Sequence, residues 1–278
     1  MVFSPPPRAA LFYLGPVLTG CDTLRQEKWE YNYIEFLNSV DNFIKNELKA
    51  NYISISLSPA LQDPRPFTWS GYLVEPQYDY VTDLSIGPDS LLQSLDKKQR
   101  QNLNRSKKRG VTVEIGGQKE YEMILDLMDI RYAQQGKTVK VPRQYFLEIY
   151  DNFKDNLKIF VAKLDSEIVT GNIDFQYRDV HYSWVGNPKP KIPISPSPND
   201  LLLWESVLSA QENGCRYYIT MSAAGNKRLH SYYAERLNPE LKIRYVATKK
   251  SFLSGILEKG YSGMVKPIRG KIHHIFKK

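Results

Sequence analysis

The chain has little sulfur, little imidazole and no long apolar run. Its 278 residues include two cysteines, Cys21 and Cys215, and four histidines. Cysteines so far apart in sequence read as buried thiols rather than a disulfide framework. No Cys/His spacing of a metal site occurs, so no metal and no bound cofactor are expected. No run of about eighteen uncharged apolar residues exists, and the opening MVFSPPPRAALFYLG lacks the apolar core and small-residue cleavage site of a secretory signal. A soluble cytoplasmic protein is the expectation. Acid is missing locally: Lys97 to Arg109 holds seven Lys or Arg and no Asp or Glu, and Lys249 to Lys278 holds eight against Glu258 alone. Glycine is absent from residues 187–198, where five prolines stand instead.

What is present suffices for one large or two ordinary globular domains, since 42% of residues are hydrophobic and 24% charged. The stretch from Pro198 to Leu241 is the most informative. Asn199 or Asp200 is a candidate N-cap and Gly214 a left-handed stop for a helix over about 200–213. A short aromatic-rich strand follows at Cys215 to Met221, then a loop to Asn226, and a second helix from Lys227 to Leu237 that Asn238-Pro239 closes.

Upstream, Val111 to Ile115 alternates as a strand, and Ile124, Leu125, Met128 and Tyr132 recur at helical spacing within 121–133. Pro142 opens another helix. Strands at Lys158 to Leu164, Ile168 to Tyr177 and Val180 to Gly186, joined by tight turns, form an antiparallel meander. With a last strand at Ile243 to Ala247 the order β-α-α-β-β-β-α-β-α-β matches that of the GNAT acyltransferase fold. The N-terminal part reads as a shortened copy: a strand at Leu11 to Leu14, a helix at Glu27 to Lys49 with Trp29, Tyr33, Phe36, Leu37, Val40 and Ile44 inward, and a strand at Tyr52 to Leu57. ANYISIS at 50–56 echoes CRYYITM at 215–221. A missing β-α-α-β opening suggests a chain that begins roughly 50 to 70 residues late. The expected division is therefore 1–88 partial GNAT-like domain, 89–109 basic linker helix, 110–248 complete GNAT-like domain and 249–278 basic tail. In class terms this is an α/β fold with a mixed, mostly antiparallel sheet flanked by helices.

Residues 91–110 make an amphipathic helix with Leu92, Leu95 and Leu103 on one side and Lys97, Arg100, Asn104 and Lys108 on another. Arg100, Arg105 and Lys108 are the candidate contacts to RNA or substrate phosphate; a solvated helical face is the alternative. The tail offers peripheral contact with an anionic membrane or nucleic acid. The proline-rich loop supplies few backbone donors, which disfavours a coenzyme A pyrophosphate cradle. His181 and His230 read as structural histidines.

SPPP at 4–7, DPRPFTWSGY at 63–72, RQNLNRSKKRGV at 100–111, IRYAQQGK with YF at 130–146, and PNDLLLWE with LNPEL near the end resemble the Fem family of aminoacyl transferases and the related CelD-like acetyltransferase domains. The resemblance implies two GNAT-like folds and transfer of an amino acid from aminoacyl-tRNA to an amine of a cell-wall precursor or another envelope acceptor. It also implies a lysine where Ala234 stands. The reading is an acyl or aminoacyl transferase with Arg131 and Arg228 as anion anchors, Trp184, Asn199 and Tyr232 as cleft residues, and no general base. The alternatives are acetyl-coenzyme A-dependent N-acetyl transfer and a non-catalytic RNA- or envelope-binding protein.

Overall fold

A computed structural model describes residues 1–6, 10–17, 19, 23–186, 188, 190, 193–220 and 227–250, with the backbone alone for 227–230. Cys21 and the expected basic tail from 251 onward lie outside the described residues. The elements are β1 (Val2–Ser4), α1 (Gln26–Asn46), β2 (Tyr52–Ser56), α2 (Arg65–Trp69), β3 (Leu73–Asp83), α3 (Pro88–Ser94), α4 (Lys97–Lys108), β4 (Thr112–Ile115), α5 (Gln118–Gln134), α6 (Arg143–Phe153), β5 (Leu157–Leu164), β6 (Glu167–Tyr177), β7 (Val180–Gly186), α7 (Pro198–Glu212), β8 (Tyr217–Thr220), α8 (Lys227–Ala234) and β9 (Glu240–Lys250). Contacts group them into two compact units, one of residues 11–77 with the first residues and those from Arg244, the other mainly Tyr78–Ile243. The division falls within β3 and within β9. The boundaries expected at 88 and 110 lie inside the second unit.

In the first unit β2 pairs in parallel with β1 and antiparallel with β9, Ile55 opposite Ala247. Strand alternation turns Ile53 and Ile55 into a core shared with Tyr33, Leu37 and Ile44 of α1 and with Phe67 and Tyr72. The rings of Tyr33, Phe67 and Tyr72 meet edge to face, as aromatic quadrupoles prefer. Phe36, expected to point inward, is exposed at the margin of this face.

The chain follows the expected element order from β4 to β9 closely, a mixed α/β arrangement with helices flanking the sheet. In the second unit the strands run β3-β8-β7-β6-β5-β4, antiparallel apart from the parallel pair β7 and β8. The β5–β6 turn puts Asp165 and Ser166 at φ +51° and +66°, which is the backbone twist a two-residue hairpin requires. Helix α7 lies on the face of the sheet carrying Thr170, Asn172 and Asp174, and α5 packs on the other, where the Cβ of any residue replacing Gly171 would meet Ile124 at 2.4 Å. Leu201, Leu202, Leu203 and Trp204, four consecutive residues of α7, are all buried, because α4 covers the side of the helix turned away from the sheet.

Further expectations are corrected. Leu11 to Leu14 is not a strand: the first strand is Val2–Ser4, and the later segment contributes one backbone bond, from Leu14 to Ser56, where Gly15 passes close to Leu57. The single helix expected over 91–110 is two, because Asp96 adopts an extended conformation and its Oδ1 caps α4 by accepting from the Gln99 amide at 2.6 Å. Strand β3 and helix α2 went unread. Pro76 and the acids Glu75, Asp79 and Asp83 hide the strand signal of β3. The N-cap of α7 is Ser197, whose Oγ accepts from the Asn199 amide at 3.3 Å, so Asn199 and Asp200 are inside the helix.

Gly186 ends β7 at φ +126°, and a Cβ there would lie 2.6 Å from the Gly171 oxygen and 2.8 Å from the Asn172 Cα. Gly186→Ala is expected to lose about 2–3 kcal/mol, because backbone on both counts must shift. Gly214→Ala, also at positive φ but with open space around it, is expected to lose only about 1 kcal/mol. Urea unfolding of both variants measures the difference.

Candidate functional site

The one parallel contact in the second unit, Val180–Ser183 against Tyr217–Thr220, stops while β7 runs on to Gly186. In open α/β sheets the carboxyl ends of parallel strands are where ligands are received, since chain leaving the sheet there forms a crevice. Next to this end the chain enters α7 through Pro188, Pro190, Pro193 and Pro196. Two contacts hold that entry: Thr170 Oγ1 donates to the Pro188 carbonyl at 2.9 Å, and the Arg109 guanidinium donates to the Ser195 carbonyl.

One turn into α7, Asp200 anchors a buried ion pair. Its Oδ1 accepts from Arg236 Nε and Nη2, each at 2.8 Å, and its Oδ2 from Asn102 Nδ2 of α4 at 3.3 Å. The guanidinium also donates to the Tyr232 carbonyl at 2.9 Å and lies 3.7 Å from the centre of the Tyr232 ring. The Asp200 side chain is 4% exposed and that of Arg236 15%. Gln99, Asp200, Arg236 and neighbouring leucines enclose a gap of about 10 Å³, room for one water. The arrangement joins α4, α7 and α8 through charge whose loss on either side leaves a buried ion unpaired.

Deeper on the same face of the sheet is a second polar group. Asp174 accepts from His181 Nε2 at 2.9 Å, from Tyr218 Oη at 3.2 Å and from Asn172 Nδ2; Ser206 Oγ of α7 and Tyr218 Oη are 2.7 Å apart. The His181 and Tyr218 rings stack at 14°. All five side chains are buried, and His181 Nδ1 has no hydrogen-bond partner among the described residues. Burial pushes the Tyr218 phenol well above its usual range, the Asp174 charge adds to that, and the Ser206 hydroxyl works against it. Tyr233 is pushed up to about 12 by burial and then by the same carboxylate.

The residues singled out from sequence divide between these features. Asn199 is buried in the first turn of α7, beside Asp200. Tyr232 belongs to the same cluster through Arg236, with its hydroxyl buried and unpartnered among the described residues. Trp184 is an extra residue in the β7 register against β6. Its indole packs on Phe146 and Phe175 toward α6 and donates to the Ala10 carbonyl at 2.8 Å. Arg131, in the last turn of α5, bonds Gln134 at 3.2 Å and is not drawn into either cluster. Arg228 and His230 lie in α8, and their side chains are outside the described residues. On α4, Arg100 turns back to the Gln93 and Leu95 carbonyls at the end of α3, whereas Arg105 and Lys108 are exposed.

Sequence reading missed Asp200 as an ion-pair partner, Arg236, Asp174 and Tyr218. The Asp174–His181 contact had a signal: the two-residue turn Arg178-Asp179 sets Gln176 opposite His181, which leaves Asp174 on the same face one diagonal step away. Two other concavities lie among the described residues. One of about 400 Å³ lies between the start of α1 and residues 58–63, where Arg65 already grips Asp63 and holds its carboxyl below the usual range. The other, about 190 Å³, is lined mainly by apolar residues around Phe146.

A mixed, helix-flanked sheet with one parallel pair among its described strands is the architecture expected from the order of elements. Residues 67–181 match the FemAB family. The chain is 24% identical over 109 residues to a Lipid II:glycine glycyltransferase of Staphylococcus haemolyticus, and 24% over 110 residues to that of Staphylococcus aureus. These matches cover 38% and 39% of this chain and 26% of each relative, so the matched part is about a quarter of their length. The crystal structure of FemX superposes with a TM-score of 0.63 at 15% identity over 78% of this chain and 76% of that one. L-PGS from Bacillus licheniformis gives 0.51 at 16% over 80% and 74%.

Asp200→Asn is expected to cost about 3 kcal/mol by stranding Arg236, and adding Arg236→Met to recover a good part of it; a double-mutant cycle from urea midpoints tests this. The raised phenols set an alkaline limit. A tyrosine with a folded pKa above its unfolded value stabilises fully below pH 10 and loses that contribution as pH rises toward the folded value. Stability is therefore expected to fall above pH 10, and Tyr233→Phe to flatten the fall between pH 10 and about 12.

Proposed function

We propose that this chain is an aminoacyl transferase that moves an aminoacyl group from aminoacyl-tRNA to an amine of a lipid II-type cell-wall precursor, working on the cytoplasmic side of the membrane. The observation that carries the reading is the parallel β7–β8 pair, whose ladder ends at Ser183 while β7 runs on to Gly186, in a chain whose residues 67–181 match FemAB. The acceptor amine attacks the ester carbonyl, the tetrahedral intermediate places charge on its oxygen, and collapse expels the ribose hydroxyl. Backbone amides of β7 beyond the end of its β8 ladder are the candidate donors to that oxyanion, since strand backbone is placed before the reaction begins. Positioning two bound reactants supplies most of the rate.

In this reading Asn199 and Tyr232 support the crevice from the α7–α8 side and Trp184 from the α6 side, while Arg131 and Arg228 anchor anionic parts of the two substrates. The proline-rich entry favours this donor over coenzyme A, because four of its residues have no N–H to offer a pyrophosphate. No helix among the described residues is long and apolar enough to cross a membrane.

The test is transfer of radiolabelled amino acid from charged tRNA to lipid II by the purified chain. Label in the lipid fraction is expected, with kcat/KM lowered about tenfold or more by Arg131→Glu or Arg228→Glu, the loss of one charge-assisted contact. Absence of transfer with any charged tRNA, alongside thermal stabilisation by acetyl-coenzyme A, overturns the reading.

A further inference from the structure

The seven cations of the α4 segment are not equivalent in the folded chain. Arg100 is spent on the carbonyls that end α3, Lys107 pairs with Glu205 at 2.8 Å, and Arg109 holds the Ser195 carbonyl. The remaining four, Lys97, Lys98, Arg105 and Lys108, are exposed and make no ion pair among the described residues. At 100° per residue these four fall within about 100° of arc and span about 16 Å along the axis. Gln101 lies in the middle of the stripe and Asn104 at its edge, both exposed, while Gln99, Leu103 and Ser106 face the core.

We propose that this stripe is the docking surface for the phosphate backbone of an RNA, with Lys97, Lys98, Arg105 and Lys108 as the phosphate contacts. The chemistry favours RNA over a lipid surface. A helix that lies on a membrane inserts apolar side chains beside its cations, and here the side chains among them are amides. Amides and cations together are what sugar-phosphate backbones take up. The stripe is also held in fixed relation to the entry of α7. Asn102 bonds Asp200, and Arg109 the Ser195 carbonyl, so an RNA on the outer face of α4 is seated on the helix that braces the start of α7. The inference rests on the transferase reading only in naming the RNA as the donor's body.

The test uses the full chain and deacylated tRNA, so that binding is measured without any transfer. The variant Lys97→Gln/Lys98→Gln/Arg105→Gln/Lys108→Gln is compared with Lys119→Gln/Lys137→Gln/Lys140→Gln/Lys154→Gln, which removes the same charge from exposed sites elsewhere. Loss of four phosphate contacts is expected to weaken binding by tenfold or more near 0.1 M salt and to lower the slope of log K against log salt by about three. The control variant should bind nearly as the wild type does. Equal losses in both variants, or unchanged binding in the first, overturn the proposal. So does binding confined to anionic phosphatidylglycerol vesicles. RNA binding through α4 with no transfer to any acceptor leaves this inference standing and removes the transferase reading instead.

Discussion

The second unit depends on α7 having no free side. A helix packed on a sheet ordinarily shows one apolar stripe, and a run such as Leu201, Leu202, Leu203 and Trp204 would then leave two of its members in water. Here α4 covers the far side, and all four are buried. Burying four such side chains is worth several kcal/mol of transfer free energy, and the gain exists only while α4 stays in place. That requirement explains why α4 has Leu103 and Ser106 turned inward and why its cations are confined to the remaining arc. The chemistry proposed for the outer face of α4 and for the start of α7 is thus carried by two helices that cannot move independently.

Polar groups inside such a packing need reasons to be there, because apolar residues of like volume would often be at least as stable. The two buried groups answer differently. Asp200 and Arg236 link three helices through direct charge-assisted bonds, so their benefit is geometric: they fix where α8 leaves relative to the entry of α7. Asp174 collects donors from two neighbouring strands, and the hydroxyl of one donor, Tyr218, reaches Ser206 on α7. It ties β6, β7 and β8 to the helix at the parallel strand pair. An apolar core there would permit the parallel strands to slide, whereas a carboxylate with three fixed donors penalises any shift of register.

Much of this was legible because the signals were local. Gly214 ended α7 in the left-handed region, the two-residue turns fixed the meander, and Val180 to Gly186 was read to the residue. What was not legible depended on partners far away in sequence. Asp200 read as a cap because its carboxylate could serve one, and only Arg236, brought back by α8, gives it another use. Arg100 read as a phosphate contact because it shares a face with Lys97 and Lys108; the break at Asp96 that exposes the α3 carbonyls to it is a capping event inside a continuous amphipathic pattern. Strand β3 was hidden by acids and a proline that a strand of mixed burial tolerates.

The Fem resemblance implies a lysine at the position of Ala234, and the fold limits what can take its place. Ala234 is the last residue of α8 and is exposed. The nearest cation in sequence, Arg236, is committed to Asp200, to the Tyr232 carbonyl and to the Tyr232 ring, and withdrawing it would leave a 4% exposed carboxylate without its counter-ion. Arg236 is therefore unavailable as a substitute. An amine attacking an activated ester does not require a lysine from the protein: the nucleophile is already strong when unprotonated, and what the site must supply is alignment and fixed dipoles facing the oxyanion. In the proposed reading the backbone of β7 beyond its β8 ladder supplies both, which no side-chain substitution at 234 removes. In that reading, transfer rests on the placement of the β7–β8 end, which the Asp174 network behind it and the wrapped helix above hold in register.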